Sequence, residues 1–186
     1  MKAFLTTVKG KVIAGVSTVV IVGAIVAAVI ILNSGYRTIA VEALNGITKI
    51  INNGKTSEAF VGQHLKSGDD VTVSASSDMT LALDSDKFVF AKENTHFTVE
   101  ATGKATDSRT TIHLYDGATL CRVDKKLKDS ENFNVDTPNA TMSVRGTVFR
   151  VSCLEEGNGD KYTVVDVFEG EVFVQVKMEN GQNTNL

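Results

Sequence analysis

Two-residue alternation of apolar side chains, turn signals about every 10 residues, and one long uncharged run near the N-terminus set the expected fold class. They predict an all-β domain of many short strands, of the β-solenoid or sandwich type, preceded by one transmembrane helix. The chain has 186 residues, of which 42% are hydrophobic and 22% charged, with one Pro and no Trp. That composition excludes a disordered or acidic solvating chain and a collagen-like one. A formal net charge of -3 excludes a general nucleic-acid binder, which needs a basic face.

The first element is the uncharged run from Val12 to Leu32. As a helix rising about 1.5 Å per residue it spans roughly 30 Å, the thickness of a bilayer core. A core helix would show a polar face, and a cleavable leader has an apolar region of about 7–15 residues, so a retained anchor is the expectation. Lys2, Lys9 and Lys11 precede it with no acidic residue, which places residues 1–11 in the cytoplasm and the rest outside. Beyond it lie all 22 acidic residues but only 16 basic ones, so the exterior part carries -6. The expected boundaries are a cytoplasmic segment 1–11, a transmembrane helix 12–32, an extracytoplasmic domain 33–178 and a polar, frayed tail 179–186.

The strands follow from Val71-Thr72-Val73, Leu81-Ala82-Leu83, Phe88-Val89-Phe90, Thr163 to Val167 and Val172 to Val176. Asn45-Gly46, Asn53-Gly54, Ser67-Gly68-Asp69, Asp116-Gly117, Gly157-Asn158-Gly159 and Glu169-Gly170 read as the turns between about a dozen of them.

The most specific stretch is Phe133 to Val151, FNVDTPNATMSVRGTVFRV. Phe133 and Val135 form one strand face, and Pro138 ends that ladder because it has no N–H. Met142 and Val144 begin the next strand, and Gly146 permits a bulge or a positive φ. At Val135-Asp136-Thr137-Pro138, Val144-Arg145-Gly146-Thr147-Val148-Phe149 and Val165 through Glu169-Gly170 to Val174, the sequence resembles the FecR family of membrane-anchored bacterial proteins. Val61 to Val71 and Asp116 to Leu120 resemble its earlier elements, so the likeness covers most of Tyr36 to Val176. The resemblance implies an all-β extracytoplasmic domain that recognises an envelope protein or ligand in cell-surface signalling or sigma-factor regulation. The alternative is a passive envelope scaffold that transmits nothing. Residues 1–11 are too few to fold as a sigma-binding domain, so the outer domain is what carries over.

Thr137, Pro138, Arg145, Gly146, Thr147, Glu169 and Gly170 are therefore the motif residues, for partner binding or for structure. A strand junction with Arg145 tied to a nearby acid or carbonyl is favoured over a guanidinium held out for a partner's carboxylate. Cys121 and Cys153 lie in different predicted strands outside the membrane. They either bridge or stay as buried thiols, and thiols are favoured. His64, His96 and His113 stand singly, which predicts no metal. Asp69-Asp70, Asp84, Asp86 and Glu155-Glu156 read as solvated turn carboxylates, and Lys125-Lys126-Leu127-Lys128 as a solvated turn. No nucleophile elbow, phosphate loop or dinucleotide fingerprint is present, so neither enzyme activity nor a cofactor is expected.

Overall fold

In the computed structural model, residues 37–104, 106–177 and 183–185 are described, and they all belong to the second of two units, which begins in sequence at Arg37. The predicted segment Val12–Leu32 lies outside the described residues. Among those that are described, no helix is long and apolar enough to cross a membrane.

Fourteen strands make one continuous curled sheet: β1 Ile39–Asn45, β2 Thr48–Asn52, β3 Lys55–Glu58, β4 Asp69–Val73, β5 Asp78–Leu83, β6 Lys87–Ala91 and β7 Thr95–Lys104. They continue as β8 Asp107–Val123, β9 Asn132–Asp136, β10 Ala140–Val144, β11 Val148–Glu155, β12 Lys161–Glu169, β13 Val172–Lys177 and β14 Asn183–Asn185. The sheet has two halves that share β8. One runs β1-β5-β6-β8-β11-β12, antiparallel throughout. The other runs β3-β2-β4-β7-β8-β9-β10-β13-β14, with β8–β9 as a parallel pair.

The 17-residue β8 can serve both halves because it bends at Gly117, where φ is 83°. A Cβ there would stand 2.5 Å from the Asn94 carbonyl oxygen, so glycine is required for the close crossing with the start of β7 as well as for the angle. The Asp116-Gly117 pair, predicted as a hairpin turn, is thus the corner of one strand. Its N-terminal part pairs with β7 and β9, its C-terminal part with β6 and β11.

Period-two burial builds the core. In β4, β5, β9 and β10, in β7 as far as Val99 and in β11 as far as Cys153, every second side chain is buried, and these converge in one apolar cluster that includes Val71, Leu81, Phe97, Val135, Met142 and Val151. Phe133 of β9 meets Phe149 of β11 edge to face, centroids 6.5 Å apart, which joins the two halves across the core. Each such buried ring stabilises the fold by about 2–3 kcal/mol through area alone.

Two expectations change here, and β6 shows a face that the sequence pattern left open. Phe88 and Phe90 face outward, Phe88 lying under the Arg122 guanidinium at 4.3 Å, while Lys87 and Val89 take the inner face of β6. Asp69 and Asp84 are not solvated turn residues: Asp69 is buried and accepts the Lys66 N–H at 2.8 Å, and the Asp84 side chain is 1% exposed. The tail is not frayed where it is described, because Asn183–Asn185 pairs with β13.

Candidate functional site

The motif residues sit at the two ends of β10. Thr137 and Pro138 form the β9–β10 turn, and Arg145, Gly146 and Thr147 link β10 to β11. Five strand residues lie between, about 16 Å of extended chain, so the motif makes two joints.

At the first joint Thr137 is buried. Its Oγ1 donates to the Ala140 carbonyl and accepts the Ala140 N–H, both at 3.0 Å, and lies 2.8 Å from Thr163 Oγ1 of β12. One hydroxyl thereby closes the turn and ties it to the opposite half of the sheet. Pro138 stays exposed, as a residue with no donor can at a turn.

At the second joint Arg145 reaches back to the β8–β9 connection, residues 124–131. Its Nε and Nη2 donate to the Leu127 carbonyl at 3.2 and 3.0 Å, and Nη2 pairs with Asp129 at 2.8 Å. Leu127 itself is 1% exposed, a plug set into the core. The lysine-rich segment is therefore not a simple solvated turn: Leu127 anchors it from below and Arg145 from the side. Gly146, at φ 77°, lets the Lys125–Lys126 backbone approach to 3.1 Å of its would-be Cβ. Thr147 Oγ1 donates to the Glu171 carbonyl at 3.1 Å, and Gly170, at φ 83°, packs against Gly146 and Thr147. Glu169 has no side-chain partner among the described residues. Arg145, Gly146, Thr147 and Gly170 are thus brought together, whereas Thr137 and Pro138 belong elsewhere.

Sequence reasoning missed a charged network beside this joint. Arg37 Nε holds Asp84 at 2.6 Å and its Nη1 donates to the Thr102 and Arg109 carbonyls at 2.6 and 2.9 Å. The fully buried Lys87 pairs with Asp86 at 2.6 Å, and Lys125 takes the other Asp86 oxygen at 2.6 Å. Burial pushes the Asp86 carboxyl up, but the hydrogen bonds from Lys125 and Lys87 outweigh it and hold it below the usual range. The same hydrogen bond raises the Lys125 ammonium. A lone Lys before Phe-Val-Phe gives no sequence sign of burial, since its partners come from a turn and a distant loop.

A second network lies on the outer face of β7, β8 and β9. His113 stands 3.2 Å from Glu100 and 3.4 Å from Asp136, and Asp136 also takes Lys177 at 2.6 Å. Burial raises Asp136, yet Lys177 and Thr141 bring it below the ordinary value. The described residues contain no group of three or more acidic, His or Cys side chains placed to hold a metal.

Cys121 and Cys153 are free and buried. They occupy adjacent strands, but the register sets Cys121 opposite Phe149 and Cys153 opposite Gly117. An offset of four residues is about 13 Å along the strand, beyond the roughly 7 Å that a disulfide spans. The bridge left open by the sequence is therefore not formed. Burial pushes the Cys121 thiol up to about 12 and also raises that of Cys153.

Among the described residues, β12 and β13, consecutive in sequence but in opposite halves of the sheet and not paired with each other, carry five of the exposed large apolar side chains. Phe168 is 62% exposed and Phe173 65%, and Tyr162, Val164 and Val167 are exposed with them. Phe168 borders a depression of about 390 Å³ on the outer face of β8 and β11, lined also by Leu120, Val148 and Arg150. Among the described residues β12 pairs only with β11, so one of its edges carries no strand.

An all-β scaffold whose distinctive residues lock loops to strands, and whose exposed large apolar side chains include Phe60, Val61, Phe168 and Phe173, is the class that fold and site define. A family profile described as FecR protein matches residues 66–173, more than half of the chain, and the chain belongs to that family. The FecR family is regulatory, generally concerned with cell-surface signalling and sigma-factor control, and its members are typically anchored in the inner membrane. No curated protein and no solved structure matches the chain.

Proposed function

We propose that this protein is a single-pass membrane protein whose exterior domain, residues 33–178, recognises another envelope protein through the exposed apolar side chains of β12 and β13, in cell-surface signalling. The observation that carries the reading is the run of exposed large apolar side chains on β12 and β13, Tyr162, Val164, Val167, Phe168 and Phe173. Exposed apolar side chains beyond scattered single ones mark interaction sites. Family membership supplies the kind of partner, an envelope receptor or a sigma or anti-sigma factor. The anchor Val12–Leu32 and the inner residues 1–11 belong to the same proposal. Family membership also supports a regulatory rather than an enzymatic role. The motif residues Arg145, Gly146 and Thr147 act in it as the joint beside the Gly170–Glu171 connection between β12 and β13.

The test is a photoreactive residue placed at Phe168 or Phe173 of the full-length chain in its own cells, followed by mass spectrometry of the adducts. Adducts with a membrane receptor or a regulatory protein support the proposal. Adducts confined to wall or surface proteins, with transcription unchanged when residues 1–11 are replaced, would instead leave a passive scaffold.

A further inference from the structure

Past the shared strand β8, one half of the sheet continues with two strands, β11 and β12, and the other with four, β9, β10, β13 and β14. Phe133 of β9 meets Phe149 of β11, and Thr137 at the β9–β10 turn meets Thr163 of β12. That places β10 across from β12 and leaves β13, among the described residues, with no strand over it. The inner-face side chains show the consequence: Val172, Val174 and Val176 of β13 and Val165 of β12 are only half buried. Between them runs a groove of about 420 Å³ lined by Ala140, Tyr162, Val165, Val174 and Val176.

The free edge of β12 has a defined set of main-chain groups. The Glu156 N–H donates to the Asp160 carbonyl at 2.8 Å, closing the β11–β12 hairpin. Alternation along an antiparallel ladder then turns the N–H and C=O of Tyr162, Val164 and Asp166 toward β11. Those of Lys161, Thr163, Val165 and Val167 turn outward. Asn139 Nδ2 donates to the Lys161 carbonyl at 2.9 Å, which agrees with that parity and closes the groove at this end. In the other direction β12 ends at Glu169, and Glu171 directly precedes β13; both are exposed carboxylates with no side-chain partner among the described residues.

We infer that the groove is a slot for one extended segment of the partner protein, which adds antiparallel to β12 and lays alternate apolar side chains on Val165, Val174 and Val176. The segment carries Lys or Arg near its N-terminal end, opposite Glu169 and Glu171. It is a single strand, which is what the one free edge of β12, with its outward N–H and C=O groups on alternate residues, takes up. Thr163, Val165 and Val167 provide the hydrogen bonds and the valines the side-chain selection, the usual division in strand addition. The inference rests on the recognition reading above and names the chemistry of its partner.

The probe is a synthetic peptide, Lys-Thr-Val-Thr-Val-Thr-Val-Thr-Gly, against the same peptide with proline at its second and third valines, added to the full-length chain. Expected is saturable binding of the first peptide only, with hydrogen-exchange protection gained at the Thr163, Val165 and Val167 amides. Val165→Pro removes an N–H that the fold does not use, so the ladder with β11 survives. It should weaken binding by about tenfold or more, the loss of one to two hydrogen bonds. Val167→Pro, at a more exposed position, should repeat the effect if Val165→Pro disturbs the fold. Absence of protection at these three amides, or equal binding by the proline variants, overturns the slot. Cellular adducts at Phe168 that persist in Val165→Pro would overturn the slot while leaving the recognition reading in place.

Discussion

The carbonyl oxygen of Gly146 lies 2.7 Å from the point where a Cβ on Gly170 would stand, and Thr147 Oγ1 lies 3.0 Å from it. Two glycines 24 residues apart in sequence thus form a backbone-to-backbone joint, each with positive φ. Gly170→Ala combines the strain of a left-handed alanine with a collision against main chain that cannot swing away. The expected loss is about 2–3 kcal/mol, read from the denaturant midpoint at unchanged slope. An equal loss for Gly54→Ala, whose positive φ faces open space, would show that the contact adds nothing.

Arg145 acts through Leu127. Arg145→Lys keeps the charge and loses the fork that grips the Leu127 carbonyl and Asp129. Because the guanidinium is half exposed, the cost in stability is small, about 1 kcal/mol. Exchange of the amides in 124–131 should rise well before global unfolding. Leu127→Ala empties a fully buried position and should cost about 2–4 kcal/mol. A larger effect from Arg145→Lys than from Leu127→Ala would mean that the arginine serves something other than seating this loop.

Much of this was legible from residue order, and the exceptions share a cause. Period two gave the strands because one face of each is buried, and Thr137-Pro138 and Gly146 gave the β9–β10–β11 breaks because proline lacks a donor and glycine tolerates positive φ. What stayed hidden depends on partners distant in sequence. Asp116-Gly117 has the chemistry of a turn, and only the approach of Asn94 makes it a corner. Lys87 is buried because Asp84, Asp86 and the connection bearing Lys125 enclose it. Phe88 and Phe90 face out since Val89 already fills the inner face of β6. The motif residues were found, but their division between two joints follows from the length of β10, which local patterning does not assign to a site.

Asp86 should make the fold acid-sensitive. Its carboxyl is held below the ordinary value in the folded chain, so its stabilisation is present above the unfolded value, about 3.9, and is lost as pH falls through the folded one. Asp136 has the same sign through Lys177 and Thr141. Asp86→Asn leaves buried Lys87 without its closest carboxylate and should cost about 1–3 kcal/mol at pH 7. The variant and the parent should converge as pH drops below about 4. A constant difference across that range would mean that Asp86 contributes by hydrogen bonding without charge.

The two thiols predict a chemistry that is easily measured. With the Cys121 thiol pushed up to about 12 by burial, its thiolate fraction at pH 8 is about one in ten thousand, against about a quarter for an ordinary thiol. Burial shields the sulfur further, and Cys153, also raised, points its Sγ at the Tyr115 carbonyl at 3.2 Å. Native alkylation at pH 8 should therefore leave Cys121 unmodified and touch Cys153 slowly, while both react within minutes in denaturant. Intact mass should be the same with and without reductant. Rapid native labelling of Cys121 would require that the β8–β11 ladder opens on the labelling timescale. A mass that rises on reduction would require the register between those strands to shift by about four residues.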